Sequence, residues 1–459
     1  MKRCIILLVL LLPSVVYAFE LGDVSFYITN DLIYRYNELS DEENQFIEKL
    51  SIFTKYKKWS FNFTARGFNY YLNEPNATLE DNEYDLYRYN ISYNGKDLDL
   101  QLGDFNALLG RGLVLSILPN EDVFRDRTIE GADITYNKDW LNLRLLGGRV
   151  EDEVEDQEWR VIGAEAVLRL AKNHWLGLYS AYIDDVVSAK NIGKRFAYSM
   201  SLKGQNLWDS VSYYLEYAQL EYARKSIDQG SGYYGNITYN KGGLTLMLEG
   251  KGYDNFDSEM NNPPVADDEE EVNTLYNADG IRLYGEYSFL EPDLSFFLSV
   301  GHYQEYQDSG PHVYAGVRCE DLWERIDFHV QYGIKDLVYD IQKLEGDLTY
   351  RFTDRLSFEV SCKYKWYTDQ DYIFKELDDQ YQISFAPWVS VYFLHQFSER
   401  EIIDRFNFYS GGIKFNFMEG ACLDVSGGTL RGGQTCAGGQ CFFEPPFKGV
   451  KVSLFMTIR

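Results

Sequence analysis

Lys343-Leu344-Glu345-Gly346-Asp347-Leu348-Thr349-Tyr350-Arg351-Phe352 decides the fold. Leu344, Gly346, Leu348, Tyr350 and Phe352 fall on one face of an extended chain. Lys343, Glu345, Asp347, Thr349 and Arg351 fall on the other. A two-residue period is the signature of a β-strand with two unlike faces. Residues 281–289, 326–334, 356–366 and 450–458 alternate in the same way. These runs reach the length of about 9–11 residues that a tilted transmembrane strand needs, well above the roughly 5–6 of a globular strand. The pattern predicts an all-β chain forming a single large antiparallel transmembrane β-barrel. About 22–24 strands are expected, within a range of about 18–26, and an even count is the bacterial habit.

The N-terminus reads as an export signal. Lys2 and Arg3 precede an apolar run over residues 5–12, and Val16-Tyr17-Ala18 is a small-residue cleavage site. The apolar run is too short for a spanning helix, which needs roughly 20 residues. Cys4 lies inside the segment, so it does not mark a lipoprotein anchor. The expected organisation is a signal peptide over residues 1–18 and a barrel over 19–459. The barrel is exported to the outer membrane of a Gram-negative envelope, where lipid and the barrel-assembly machinery are its first partners. A closed barrel is required there, because lipid offers the backbone no hydrogen bonds.

Composition narrows the function. The net charge of −27 excludes nucleic acid as a partner, since phosphate binding needs a basic face. Aromatic residues make up 16% of the chain, which fits the interfacial girdles of a membrane barrel. Turns such as Asn94-Gly95-Lys96 and Lys241-Gly242-Gly243 suit tight hairpins. Longer acidic connections at residues 40–44, 151–158 and 261–273 read as solvated surface loops.

The sequence offers little chemistry. His174, His302, His312, His329 and His395 are scattered, with no paired-ligand spacing, and no nucleophile elbow is present. The expectation is therefore a non-enzyme without cofactor or metal. Cys436 and Cys441 bracket four small or polar residues. An exported chain permits a local disulfide between them, with a metal site as the alternative. Cys362 sits on the apolar alternation of its strand.

The polar face carries charges of both signs, including Asp327, Lys343, Glu345, Asp347, Lys363 and Lys365. They either pair across strands or line a wet pore. A barrel of this strand number is too wide for side chains alone to fill, so water or an inward-folded segment is expected inside.

One stretch interrupts the alternation: Gly103-Asp104-Phe105, then Gly110-Arg111-Gly112-Leu113, then Arg125-Asp126-Arg127 and Ile129-Glu130-Gly131-Ala132. Its glycines permit bends, and Asp104, Arg111, Arg125, Asp126 and Arg127 concentrate charge. The plainer reading, which is preferred, is a kinked strand and a long loop held by ion pairs. The sharper one is a lumenal constriction built from those five residues. Together with Gly432-Gly433-Gln434-Thr435-Cys436, Gly438-Gly439-Gln440-Cys441 and Phe447-Lys448-Gly449-Val450, this stretch resembles a family of uncharacterised large outer-membrane barrel proteins. The resemblance implies an exported barrel and no activity. The chain departs from many barrels by ending Thr457-Ile458-Arg459 instead of on an aromatic residue.

The function expected from these features is a porin-like channel or transporter for small solutes. The alternative is a non-transporting scaffold or surface-binding barrel in the cell envelope, which holds a partner protein or an envelope polymer.

Overall fold

The computed structural model describes residues 24–458 except 40–43, 71–77, 119–126, 153–156, 188–192, 224–228, 257–259, 262–263, 265–276, 292, 306–307, 337–339, 369–372, 403–404, 438–439 and 445. The proposed signal peptide lies outside the described residues. Twenty-four strands form one antiparallel sheet, each bonded to its neighbour in chain order. The first strand, Val24–Asn37, then pairs with the last, Phe447–Ile458, from Ile28↔Ile458 to Asn37↔Gly449. The sheet is therefore a closed all-β barrel with an even strand count. Among the described residues no helix is long and apolar enough to cross a membrane.

The closing pair is secured at the Asn37 end. Asn37 Oδ1 accepts the Lys448 amide at 3.2 Å, and the Lys448 carbonyl accepts the Glu38 amide at 2.8 Å. Lys448 and Glu38 also form an ion pair there. On the outside of the seam, Ala421, Leu454 and Met456 pack with Leu32 and Leu423.

The two ends differ. One carries tight turns, as between Lys241 and Leu244, where Gly242 and Gly243 both take positive φ (60° and 82°). That backbone matches the twist of the flanking strands, and glycine adopts it without steric cost. Trp59, Trp140, Trp208, Trp323 and Trp388, five of the chain's eight tryptophans, sit exposed at these turns. They form an interfacial girdle at the short-turn end. The opposite end carries the long connections, as between strand Leu244–Asp254 and strand Asn277–Leu290.

Register fixes which face each residue takes. Leu344 stands opposite Tyr332 and Tyr364, all outward, whereas Lys343, Glu345 and Asp347 alternate inward. Cys362, on the outward row between Val360 and Tyr364, is a free thiol. Inward charges are partly paired and partly wet. Lys343 Nζ lies 2.8 Å from Glu345, and Asp347, 3.5 Å from His329 Nδ1, keeps its side chain 52% exposed inside the barrel.

Among the described residues, two small hairpins stand apart from the wall. Strand Leu98–Phe105 pairs directly with strand Ile129–Lys138, and the residues between them form a separate small hairpin, Ala107–Leu109 with Leu115–Ile117. Strand Ala421–Leu430 pairs with Phe447–Ile458, setting aside a second hairpin, Gly433–Ala437 with Gln440–Glu444. Cys436 and Cys441 stand directly opposite in that hairpin. Their side chains lie outside the described residues.

The two faces make opposite demands on substitution. Leu344→Arg, mid-strand and outward, is expected to destabilise the barrel by about 2–4 kcal/mol. Ser361→Arg, mid-strand and inward opposite Asp347, is expected to cost less than about 1 kcal/mol. Equilibrium urea unfolding in micelles measures both, and equal costs would contradict the assignment of faces.

Candidate functional site: an inward-folded hairpin

After Phe105 the chain turns inside the barrel because its side chains demand it. Leu109, Leu113, Val114, Leu115 and Ile117 are between 0 and 2% exposed. They pack with the inward residues Phe105, Ile129, Leu146, Val150, Trp159 and Val161 of the wall. Burying five such side chains contributes on the order of 10 kcal/mol, at about 1.5–3 each. A solvated loop would forgo that. The plainer expectation of a kinked strand and surface loop therefore gives way to an inward-folded segment.

The hairpin tip is Gly110-Arg111-Gly112. Gly110 and Gly112 have φ of 63° and 83°, the region that favours glycine. A Cβ on Gly110 would also collide with the Glu216 carboxylate. That carboxylate, on strand Val211–Tyr222, holds the tip in place. It accepts the Arg111 amide at 2.9 Å and the Ser199 hydroxyl at 2.6 Å, and the Tyr214 hydroxyl also donates to it. The Arg111 guanidinium lies over the rings of Tyr214 and Tyr234, 4.9 and 5.9 Å from their centroids. A carboxylate accepting several bonds while buried is stable only if all of them are kept.

The polar wall continues beside it. Tyr234 donates to Glu249 at 2.8 Å, and Glu249 pairs with Arg282 at 2.9 Å and Lys251 at 3.6 Å. On the other flank, Arg144 makes bonds of 3.0 and 2.7 Å to Asp133 Oδ2. It also reaches the carbonyls of Asn106 and Leu108, both at 3.4 Å. From the long-connection end, Met260 and Asn261 descend onto the hairpin. The Met260 carbonyl accepts the Ser116 amide at 2.7 Å, and Asn261 donates to the Leu113 carbonyl at 2.6 Å. Asn261 is buried, so the start of that acidic connection is not a solvated loop.

The five residues proposed for a constriction part company. Arg111 is inside, at the hairpin tip. Arg127 stacks over the buried Trp159 with 5.0 Å to the ring centroid. Asp104 faces outward, because alternation puts it opposite to Gly103 and Phe105. There it accepts the Tyr89 amide at 2.7 Å and the Thr128 hydroxyl at 3.3 Å, and it is not part of the lumen. Arg125 and Asp126 lie outside the described residues. The partners that matter, Glu216, Tyr214, Arg144 and Asn261, carry no sequence signal that separates them from other inward polar residues. Among the described residues no group of three His, Cys, Asp or Glu side chains is placed to hold a metal ion.

Replacing Glu216 with Ala leaves the Arg111 amide and two hydroxyls without their acceptor, a cost of about 1–3 kcal/mol per buried group. Amides of residues 110–115 are expected to exchange hydrogen at least about tenfold faster in Glu216→Ala, with mid-strand amides unchanged. Gly110→Ala should act in the same direction. Unaltered exchange in both variants would show that the carboxylate does not hold the hairpin.

Known structures share the barrel. One chain of the E. coli P pilus tip assembly intermediate PapC-PapD-PapK-PapG matches with a TM-score of 0.54 at 9% identity, over 94% of this chain and 60% of that one. This chain thus spans about three fifths of that partner's length. The siderophore receptor PirA from Pseudomonas aeruginosa matches with a TM-score of 0.51 at 8% identity, over 95% and 80%. At such identities the likeness is one of fold, that of large outer-membrane barrels. No curated protein matches the sequence. The family of unknown function DUF6029 matches residues 1–278 and 325–458, a span that includes both small hairpins, and the chain belongs to that family.

Proposed function

We propose that the protein is an outer-membrane channel for small solutes, narrowed from within by the hairpin at residues 107–117. The observation that carries this reading is the uneven filling of the barrel. The hairpin and Met260 belong to one buried cluster with wall residues that run from Phe105 to Tyr303. Across the barrel the inward row stays wet, as the exposed Asp347 shows. Barrels of 16–18 strands already leave an aqueous channel and 22-stranded ones are plugged, so a 24-stranded wall leaves room beside so short a segment. In this reading the chain reaches the outer membrane through a cleaved signal over residues 1–18 and is folded there by the assembly machinery.

A second reading is a scaffold for an envelope protein. The hairpin Gly433–Glu444 favours it, because those strands pair only with each other and stand apart from the sheet. Crosslinking from that hairpin in intact cells would then capture a partner that is lost when residues 433–444 are deleted.

Planar bilayers separate the two. The full chain is expected to conduct, and deleting residues 107–117 is expected to raise single-channel conductance severalfold. A folded barrel that stays silent in both forms would overturn the channel reading.

A further inference from the structure

Outward rows of the barrel are mostly apolar in mid-strand, as at Leu344, Leu348 and Val360. Three neighbouring strands break this rule. The outward row of Ile373–Phe385 runs Lys375, Leu377, Asp379, Tyr381, Ile383 and Phe385. That of Val389–Ile402 runs Val389, Val391, Phe393, His395, Phe397 and Glu399. Lys375 and Glu399 form an ion pair at 3.9 Å, which marks where the apolar band ends on the side of the long connections. Asp379 and His395 lie inside the band. Leu377 and Phe397 flank them toward the long connections, Tyr381 and Phe393 toward the short turns.

The polar side chains form one row across the wall. Asp379 stands directly opposite His395, and His395 directly opposite Tyr409 on strand Arg405–Met418. His395 Nδ1 lies 3.5 Å from the Asp379 carboxylate, and Nε2 lies 3.1 Å from Asn407 Oδ1. The imidazole stacks on the Tyr409 ring, 4.9 Å between centroids at 15°. The free thiol Cys362 stands opposite Asp379 on its other side. Asp379 and His395 remain 16% and 21% exposed on the outer surface, among the exposed rings of Tyr381, Phe393 and Tyr409. Acyl chains offer a carboxylate and an imidazole no hydrogen bonds, so ionisable groups at this depth belong against protein.

Charge complementarity says which protein fits. A two-fold axis along the membrane normal, passing between the strands of Asp379 and His395, sets Asp379 of one barrel across from His395 of a second copy, and the reverse. Phe393 and Tyr409, stacked 6.2 Å apart at 23°, supply flat apolar contact around the charges. Glu48 gives the contrast. It too faces outward, bonded to Asn30 at 3.3 Å, but its cross-strand neighbours are Leu32 and Gly67. Two copies meeting there bring acid against acid.

We propose that the outer face centred on Asp379 and His395 is the contact between two copies of this barrel in the membrane. This goes beyond the channel reading and does not depend on whether the lumen conducts.

Sedimentation equilibrium of the full-length barrel in density-matched micelles tests it. A dimer is expected, weakened at least about tenfold in Asp379→Leu/His395→Leu and unchanged in Glu48→Leu. Heat-modifiable migration checks that each variant folds, and leucine suits an outward position. Single variants test the pairing itself. Asp379→His barrels and His395→Asp barrels, each with like groups facing across the axis, are expected to be monomers. Mixing them is expected to restore dimers that contain one of each. If a single variant fails to fold, the leucine variant decides alone. An unaltered barrel that stays monomeric, or a dimer undiminished in the leucine variant, overturns the proposal. Folded single variants that stay monomeric on mixing overturn it as well. So does a monomer that copurifies with a different protein released by the leucine variant, which assigns the face to that partner.

Discussion

Everything in this molecule depends on the pairing of Val24–Asn37 with Phe447–Ile458. In lipid an open sheet edge would leave a row of backbone N–H and C=O groups unbonded, at several kcal/mol each. Closing the sheet removes both edges at once. The pairing joins the two ends of the described chain, so it closes the longest loop and carries the largest loop-closure entropy of any strand pairing here. The Asn37–Lys448 bonds and the small apolar cluster at Leu454 and Met456 reinforce the joint. The same closure makes the inner face continuous, and that is what allows a lumen with a sidedness of its own.

Width is the second constraint. A wall of 24 strands cannot be filled by its own side chains, and the chain responds by donating a short hairpin to the interior. Two kinds of interaction hold the hairpin. Apolar burial of Leu109, Leu113 and Leu115 supplies most of the free energy. The Glu216 carboxylate supplies position, because its bonds to Arg111, Ser199 and Tyr214 are directional. Glycine at position 110 is demanded twice over, by its positive φ and by the carboxylate pressed against it. Across the lumen, inward side chains such as Asp347 stay exposed.

The alternation in residues 343–352 was enough to read the architecture, since period-two patterning is a local property and each strand displays it independently. The Gly110-Arg111-Gly112 interruption was visible for the same reason. What the interruption did was not. Asp104 and Arg111 lie seven positions apart in one motif, yet the first faces outward and the second sits inside. The face of Asp104 follows from its pairing with Glu130, and the position of Arg111 from a residue on a strand a hundred positions away. Cys436 and Cys441 were recognisable as neighbours because the loop between them is short, and their backbones do stand opposite each other.

The sequence by itself thus determined the strands, their lengths, the two unlike faces and the closed barrel that lipid requires of them. These follow from periodicity and from the cost of unbonded backbone, both of which act residue by residue. Only the tertiary structure decided which polar residues meet. Glu216 with Arg111, and Arg144 with Asp133 and the Leu108 carbonyl, are brought together by register and by the inward turn of the hairpin, which no local pattern encodes.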